Sequence, residues 1–172
     1  MALKKKFISY GKNVYGKEEI NAVIKTLKRT TQMSSNVNLF ERKLCKFFSK
    51  KYSLMVNSGT SALILAIKIF DFPKNSEIIT PGLNFGTAVS SIILNDLQPV
   101  FVDIERDTLQ INPDIIEKRI SKKTRALLIP NLIGNIPDWI KIKKIAKKYK
   151  LKIIEDSADT LGAKIGKKST GL

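Results

Sequence analysis

The chain has 172 residues, 43% of them apolar, which is enough for one domain with a core and too apolar for a disordered segment. Its 31 basic and 15 acidic residues give a net charge of +16; a single cysteine excludes an internal disulfide, and the lack of histidine removes the usual zinc ligand and the usual neutral-pH base. No apolar run approaches the roughly 20 residues that span a bilayer, and Met1-Ala2-Leu3-Lys4-Lys5-Lys6 offers no apolar stretch for a secretory signal, so a cytoplasmic location is expected.

Residues 1–50 read as an N-terminal helical segment. Lys17–Arg29 places Ile20, Val23, Ile24 and Leu27 on one helical face, and Leu39–Phe48 repeats the pattern with Phe40, Leu44, Phe47 and Phe48. The polar stretch Thr30–Asn36 between them reads as a loop. From residue 51 onward, short apolar runs alternate with helical patterns, as in a parallel sheet wrapped by helices. Strands are expected at Ser53–Val56, Glu77–Thr80, Pro99–Asp103, Ala126–Pro130 and Lys152–Glu155. Helices are expected at Thr60–Phe70, Thr87–Asn95, Pro113–Ile120 and Asp138–Tyr149, the third opened by Asn112 as cap and Pro113 at its first position. Beyond Asp156 the chain runs through Leu161-Gly162-Ala163 and a polar Gly166–Gly171 to Leu172, with no closing element expected. The class is α/β, a doubly wound and mainly parallel sheet.

The lysines at 141, 143, 144, 147, 148 and 150 have no interleaved aromatics and no groove-reading module around them. They read first as a solvated helix face, and second as a surface that attracts acidic small molecules such as nucleotide sugars. Nucleic acid is the least favoured partner.

Three features fall after expected strands, where open α/β sheets bind ligands. In Asn57-Ser58-Gly59-Thr60-Ser61, glycine admits close backbone approach, a helix N-terminus presents amides, and two hydroxyls add donors for a phosphate; a plain helix cap accounts for the same residues. Asp156 ends the apolar run Lys152-Ile153-Ile154-Glu155, where it either caps a turn or holds a proton on a pyridine nitrogen. Phe85, in a loop of small residues after Thr80-Pro81, either packs back on the domain or stacks on a flat ring. A cofactor carrying both a phosphate and a ring nitrogen, such as pyridoxal 5'-phosphate, would use all three together.

The chain resembles the DegT/StrS-type sugar aminotransferases among fold-type I pyridoxal-phosphate enzymes. The resemblance rests on Gly16-Lys17-Glu18-Glu19-Ile20, Phe40-Glu41, Asn57 to Leu63, Thr80-Pro81 through Phe85, Pro99 to Asp103, and Glu155-Asp156 through Gly162-Ala163. It implies that Gly59, Thr60 and Ser61 hold the phosphate, that Phe85 stacks on the ring and that Asp156 pairs with the ring nitrogen. It further implies a cytoplasmic homodimer with pyridoxal or pyridoxamine phosphate. Such an enzyme acts on a nucleotide-linked keto sugar with an amino donor such as glutamate, in polysaccharide or lipopolysaccharide biosynthesis. Two positions depart from the aminotransferase pattern: Asp159 stands where glutamine is common, and Asn131-Leu132-Ile133-Gly134 replaces a His-x-x-Gly segment. Both resemble the branch that removes the 3-hydroxyl of 4-keto-6-deoxy sugars, and Asp159 joins the candidate cofactor-binding residues. The resemblance makes residues 51–172 a partial large domain. It places the lysine that such enzymes join to the cofactor, or the histidine that replaces it, beyond Leu172, because Lys164, Lys167 and Lys168 follow Asp156 too closely. A non-catalytic remnant is the competing expectation.

Overall fold

The computed structural model describes residues 12–29, 31–32, 35–166 and 168–171. The chain divides into two compact units, one ending at Phe40 and the other beginning at Glu41.

In the first unit, α1 spans Lys17–Arg29 as expected. Glu18 and Glu19 lie in its first turn and Lys28 and Arg29 in its last, each sign complementing the helix dipole. The second helix, α2, runs Ser35–Phe47, so Ser35 and Asn36 are helical and not part of a loop; Thr30, Met33 and Ser34 lie outside the described residues. Arg29 donates to the Ser35 hydroxyl at 3.0 Å and to Asn36 Oδ1 at 3.1 Å, which gives the start of α2 side-chain partners.

The second unit is built on four parallel strands in the order β2-β1-β3-β4: β1 Glu77–Pro81, β2 Gln98–Val102, β3 Thr124–Pro130 and β4 Lys152–Asp156. Each expected strand from residue 77 onward forms, with ends shifted by one or two residues. Around the sheet lie α3 Gly59–Lys68, α4 Gly86–Ile93 and α5 Trp139–Tyr149.

Strand side chains alternate between faces, so one sheet serves two cores. Ile78, Ala126, Leu128 and Ile154 pack with Ile67 of α3 and Ala88 and Ile92 of α4. Ile79, Val102, Leu127 and Ile129 pack with Trp139, Ile142, Ile145 and Ala146 of α5. Asn95 joins α3 to the end of α4, donating to Ile64 O at 3.2 Å and Ser91 O at 2.8 Å.

Two further expectations fail. Ser53–Val56 is extended but forms no strand, because no neighbouring strand is present among the described residues to complete its hydrogen bonds; the Met55 amide donates instead to the Glu41 carboxylate at 2.7 Å. Pro113–Ile120 is two short 3₁₀ turns, Pro113–Ile115 and Glu117–Arg119, although Asn112 caps the first as expected. Their bonds run from each amide to the carbonyl three residues back, a tighter winding that does not propagate. Near the C-terminus, Lys164–Ile165 and Lys168–Ser169 pair antiparallel as β5 and β6, a separate two-stranded sheet that leaves β4 with β3 as its only partner among the described strands.

Ile142 is fully buried against the sheet. Ile142→Ala should cost about 2–5 kcal/mol of unfolding free energy, read as a lower midpoint in urea. Glu117 accepts from Lys148 Nζ at 2.7 Å and from the Tyr149 hydroxyl at 2.8 Å, and these bonds hold its carboxyl below the ordinary value. A carboxyl lowered in the folded state adds stability above its unfolded-state pKa, and that stability is lost as pH falls through the folded-state value. Glu117→Gln should therefore flatten the acid limb of stability against pH, measured by thermal unfolding over an acidic series.

Candidate functional site

In this sheet the helices run back against the strands, so the N-termini of α3 and α4 lie at the edge where the strands end. That edge carries Pro81, Val102, Pro130 and Asp156. Asp156 shares its strand parity with Ile154, which packs in the α3 and α4 core, so its side chain belongs to that face. Gly59-Thr60-Ser61, Phe85 and Asp156 therefore come off one edge on one side of the sheet. The ends of β1 and β4 are two strand spacings apart, roughly 10 Å.

Ser58 caps α3: its hydroxyl accepts from the Ser61 amide at 3.1 Å, and the Ser61 hydroxyl donates to Asn57 Oδ1 at 2.7 Å. The amides of Gly59 and Thr60 precede the first carbonyl an intrahelical bond could use. A Cβ built on Gly59 would meet nothing within 4 Å, so space lies open in front of this backbone. Amides without intrahelical partners at a helix start suit a phosphate. These amides do not follow a strand, since Ser53–Val56 is not one.

Phe85 is the residue before α4, in extended backbone, with its side chain 70% exposed. Its amide donates to Asn84 Oδ1 at 2.7 Å, and Asn84 is tied in turn to the buried Thr80 hydroxyl at 2.9 Å. The ring is presented to solvent from an anchored backbone and is not folded back into the core.

Asp156 accepts from the Ala158 amide at 3.1 Å through Oδ1, and Oδ2 has no hydrogen-bond partner among the described residues. Asp159 faces a different group: its Oδ2 accepts the Ile133 amide at 3.0 Å. Ile133 has left-handed backbone angles, φ 52° and ψ 27°, which a β-branched residue rarely adopts. Gln110 secures the preceding residue, accepting the Leu132 amide at 3.2 Å and donating to its carbonyl at 3.0 Å. Asp159 and Gln110 thus hold the loop after β3 in a strained shape.

A polar cluster lies on the other side of the β4 end. Asn131, 1% exposed, donates through Nδ2 to Glu155 Oε1 at 2.8 Å and to the Ser157 hydroxyl at 3.0 Å, and its Oδ1 accepts the Trp139 indole N–H at 2.9 Å. Glu155 Oε1 also accepts from the Ser157 hydroxyl and the Gly171 amide, both at 2.8 Å. Sequence reasoning gave Glu155, Gln110 and Trp139 no role. Strand alternation alone would have turned Glu155 away from Asp156, and Asn131 was marked only as a departure from a family pattern.

Helix N-termini, an exposed aromatic and an acid gathered at the C-terminal edge of an open parallel sheet mark the place where such sheets bind ligands. Residues 13–172 match the DegT/DnrJ/EryC1/StrS aminotransferase family, and the chain belongs to it. It is 31% identical over 166 residues to a GDP-4-keto-6-deoxy-D-mannose 3-dehydratase of Yersinia pseudotuberculosis, covering 92% of this chain and 42% of that one. It is 35% identical over 139 residues to a dTDP-3-amino-3,6-dideoxy-alpha-D-galactopyranose transaminase of Aneurinibacillus thermoaerophilus, covering 81% and 38%. Among solved structures, the GDP-4-keto-6-deoxy-D-mannose-3-dehydratase of E. coli with bound hydrated PLP superposes with a TM-score of 0.87 at 28% identity, covering 93% of this chain and 43% of that one. The chain thus spans about two-fifths of the length of these proteins.

Ser58→Ala should lower stability by about 0.5–2 kcal/mol through loss of the α3 cap, measured by urea unfolding.

Proposed function

We propose that this chain seats pyridoxal phosphate, or its pyridoxamine form, as the cofactor-binding half of an enzyme of nucleotide-sugar metabolism. The observation that carries this is the placement of unclaimed donors and an unclaimed acceptor on one face: the Gly59 and Thr60 amides at the start of α3, and Asp156 Oδ2. In this role the Gly59 and Thr60 amides hold the phosphate, Ser61 joins them by turning its hydroxyl from Asn57 to the phosphate, and Phe85 covers one face of the ring. Asp156 keeps a proton on the ring nitrogen, since an adjacent carboxylate favours the cationic ring. Asp159 shapes the neighbouring rim through Ile133. When bound, the cofactor withdraws electrons from the substrate carbon joined to it.

At full family length, the substrate is a nucleotide-linked keto sugar and the amino donor a compound such as glutamate, in a cytoplasmic homodimer serving polysaccharide or lipopolysaccharide biosynthesis. The names of the Aneurinibacillus transaminase and the Yersinia dehydratase support this class of substrate. No helix among the described residues is long and apolar enough to cross a membrane. Removal of a sugar 3-hydroxyl, in place of amino transfer, is the second activity favoured by specific residues: Asp159 and Asn131 occupy the two positions where the aminotransferase pattern is broken.

Titrating the full chain with pyridoxal phosphate, followed by near-ultraviolet absorbance, should show saturable binding that Asp156→Ala weakens by about tenfold or more, the scale of one charged hydrogen bond. Equal affinity in the two proteins would remove Asp156 from the site.

A further inference from the structure

From the polar cluster behind β4, we infer that Asn131 is a positioning residue for Asp156, acting with Glu155 and Trp139 to fix the acid's angle toward the ring nitrogen. The inference rests on the cofactor reading given above and assigns a task to residues that this reading leaves unused.

Asn131 follows the last residue of β3, Pro130, whose partner across the ladder is Asp156. Its amide donates to the Asp156 carbonyl at 2.9 Å, extending the ladder by one bond. Its side chain passes to the residue before, donating to Glu155 at 2.8 Å. One residue therefore grips the backbone of the acid and the side chain of its neighbour. The amide group of Asn131 is itself oriented, because the Trp139 indole N–H can only donate and so requires Oδ1 toward it and Nδ2 toward Glu155. Trp139 is 3% exposed in the core beneath α5, which makes the chain of contacts rigid from that core to the carboxylate.

Glu155 and Asp156 divide the two sides of β4 between them. Glu155 Oε1 receives donors from Asn131, Ser157 and Gly171, so rotation of the β4 end would break several bonds together. Asp156, on the opposite side, has one bond to Ala158 and is otherwise available. β4 pairs only with β3 among the described strands, so no second ladder holds its end. Side-chain bonds replace the missing ladder at the residue where a small rotation matters most.

The test uses the full chain and pyridoxal phosphate labelled with ¹⁵N in the ring, reading the dissociation constant and the ring-nitrogen shift across pH. Asn131→Ala removes both the donor to Glu155 and the acceptor for Trp139 without adding a charge near the ring. It should weaken binding about tenfold and lower the pH at which the ring nitrogen loses its proton. Trp139→Phe, which loses only the indole donor and carries the test if Asn131→Ala does not fold, should shift both in the same direction by less. In an Asp156→Asn background, either change should have no further effect on the ring nitrogen, because Asn131 acts through Asp156. Unchanged ring protonation in both single variants, or effects that simply add to that of Asp156→Asn, would overturn the inference. A natural chain whose binding and ring protonation ignore Asp156→Asn would instead overturn the cofactor reading itself.

Discussion

Pairing of β3 with β1 on one side and β4 on the other sets the register of everything at the site edge. Ile79, Leu127 and Ile153 stand in line across the three strands, and Pro130 stands opposite Asp156. Because β3 is buried on both faces, Ala126 and Leu128 are committed to one core and Leu127 and Ile129 to the other. Sliding β3 by one residue would exchange those commitments, so the apolar pattern of a strand with no chemistry of its own fixes where the chemistry stands.

The same alternation separates two jobs that adjacent carboxylates could otherwise confuse. Glu155 is surrounded by donors and serves as an acceptor that binds loops together. Asp156, one residue on, keeps an oxygen free. Equal charge and adjacent position give them different roles because the strand turns them to different sides. Asp159 takes a third role, holding the Ile133 backbone in a conformation the residue would not adopt unaided. A second acid near an acid therefore need not be a second ligand.

Much of the fold was legible because buried parallel strands are short apolar runs, and Glu77–Pro81, Thr124–Pro130 and Lys152–Asp156 have that form. Ser53–Val56 has it too and is not a strand, since residue pattern encodes a tendency to extend but not the neighbour that completes the ladder. At Asn112-Pro113 the start signal was sound, but nothing local announced that the following residues would wind with three-residue bonds. The elements that carry the candidate site were legible where they are local: Gly59 through Ser61, Phe85 and Asp156 are each short stretches at the end of an element. The Asn131 cluster was not, because its side-chain partners lie 8 to 29 residues away along the chain and meet only once the sheet has formed.

Strand parity also carries a consequence for how this family can vary in length. An inserted or deleted residue in a surface loop only lengthens or shortens a connection, but the same event inside β4 would exchange the sides taken by its two terminal carboxylates. The acid would then face Trp139 and the glutamate would face the open edge, with composition almost unchanged. Substitution can drift through this strand one side chain at a time; a change of length cannot pass through it unless a second, compensating one follows.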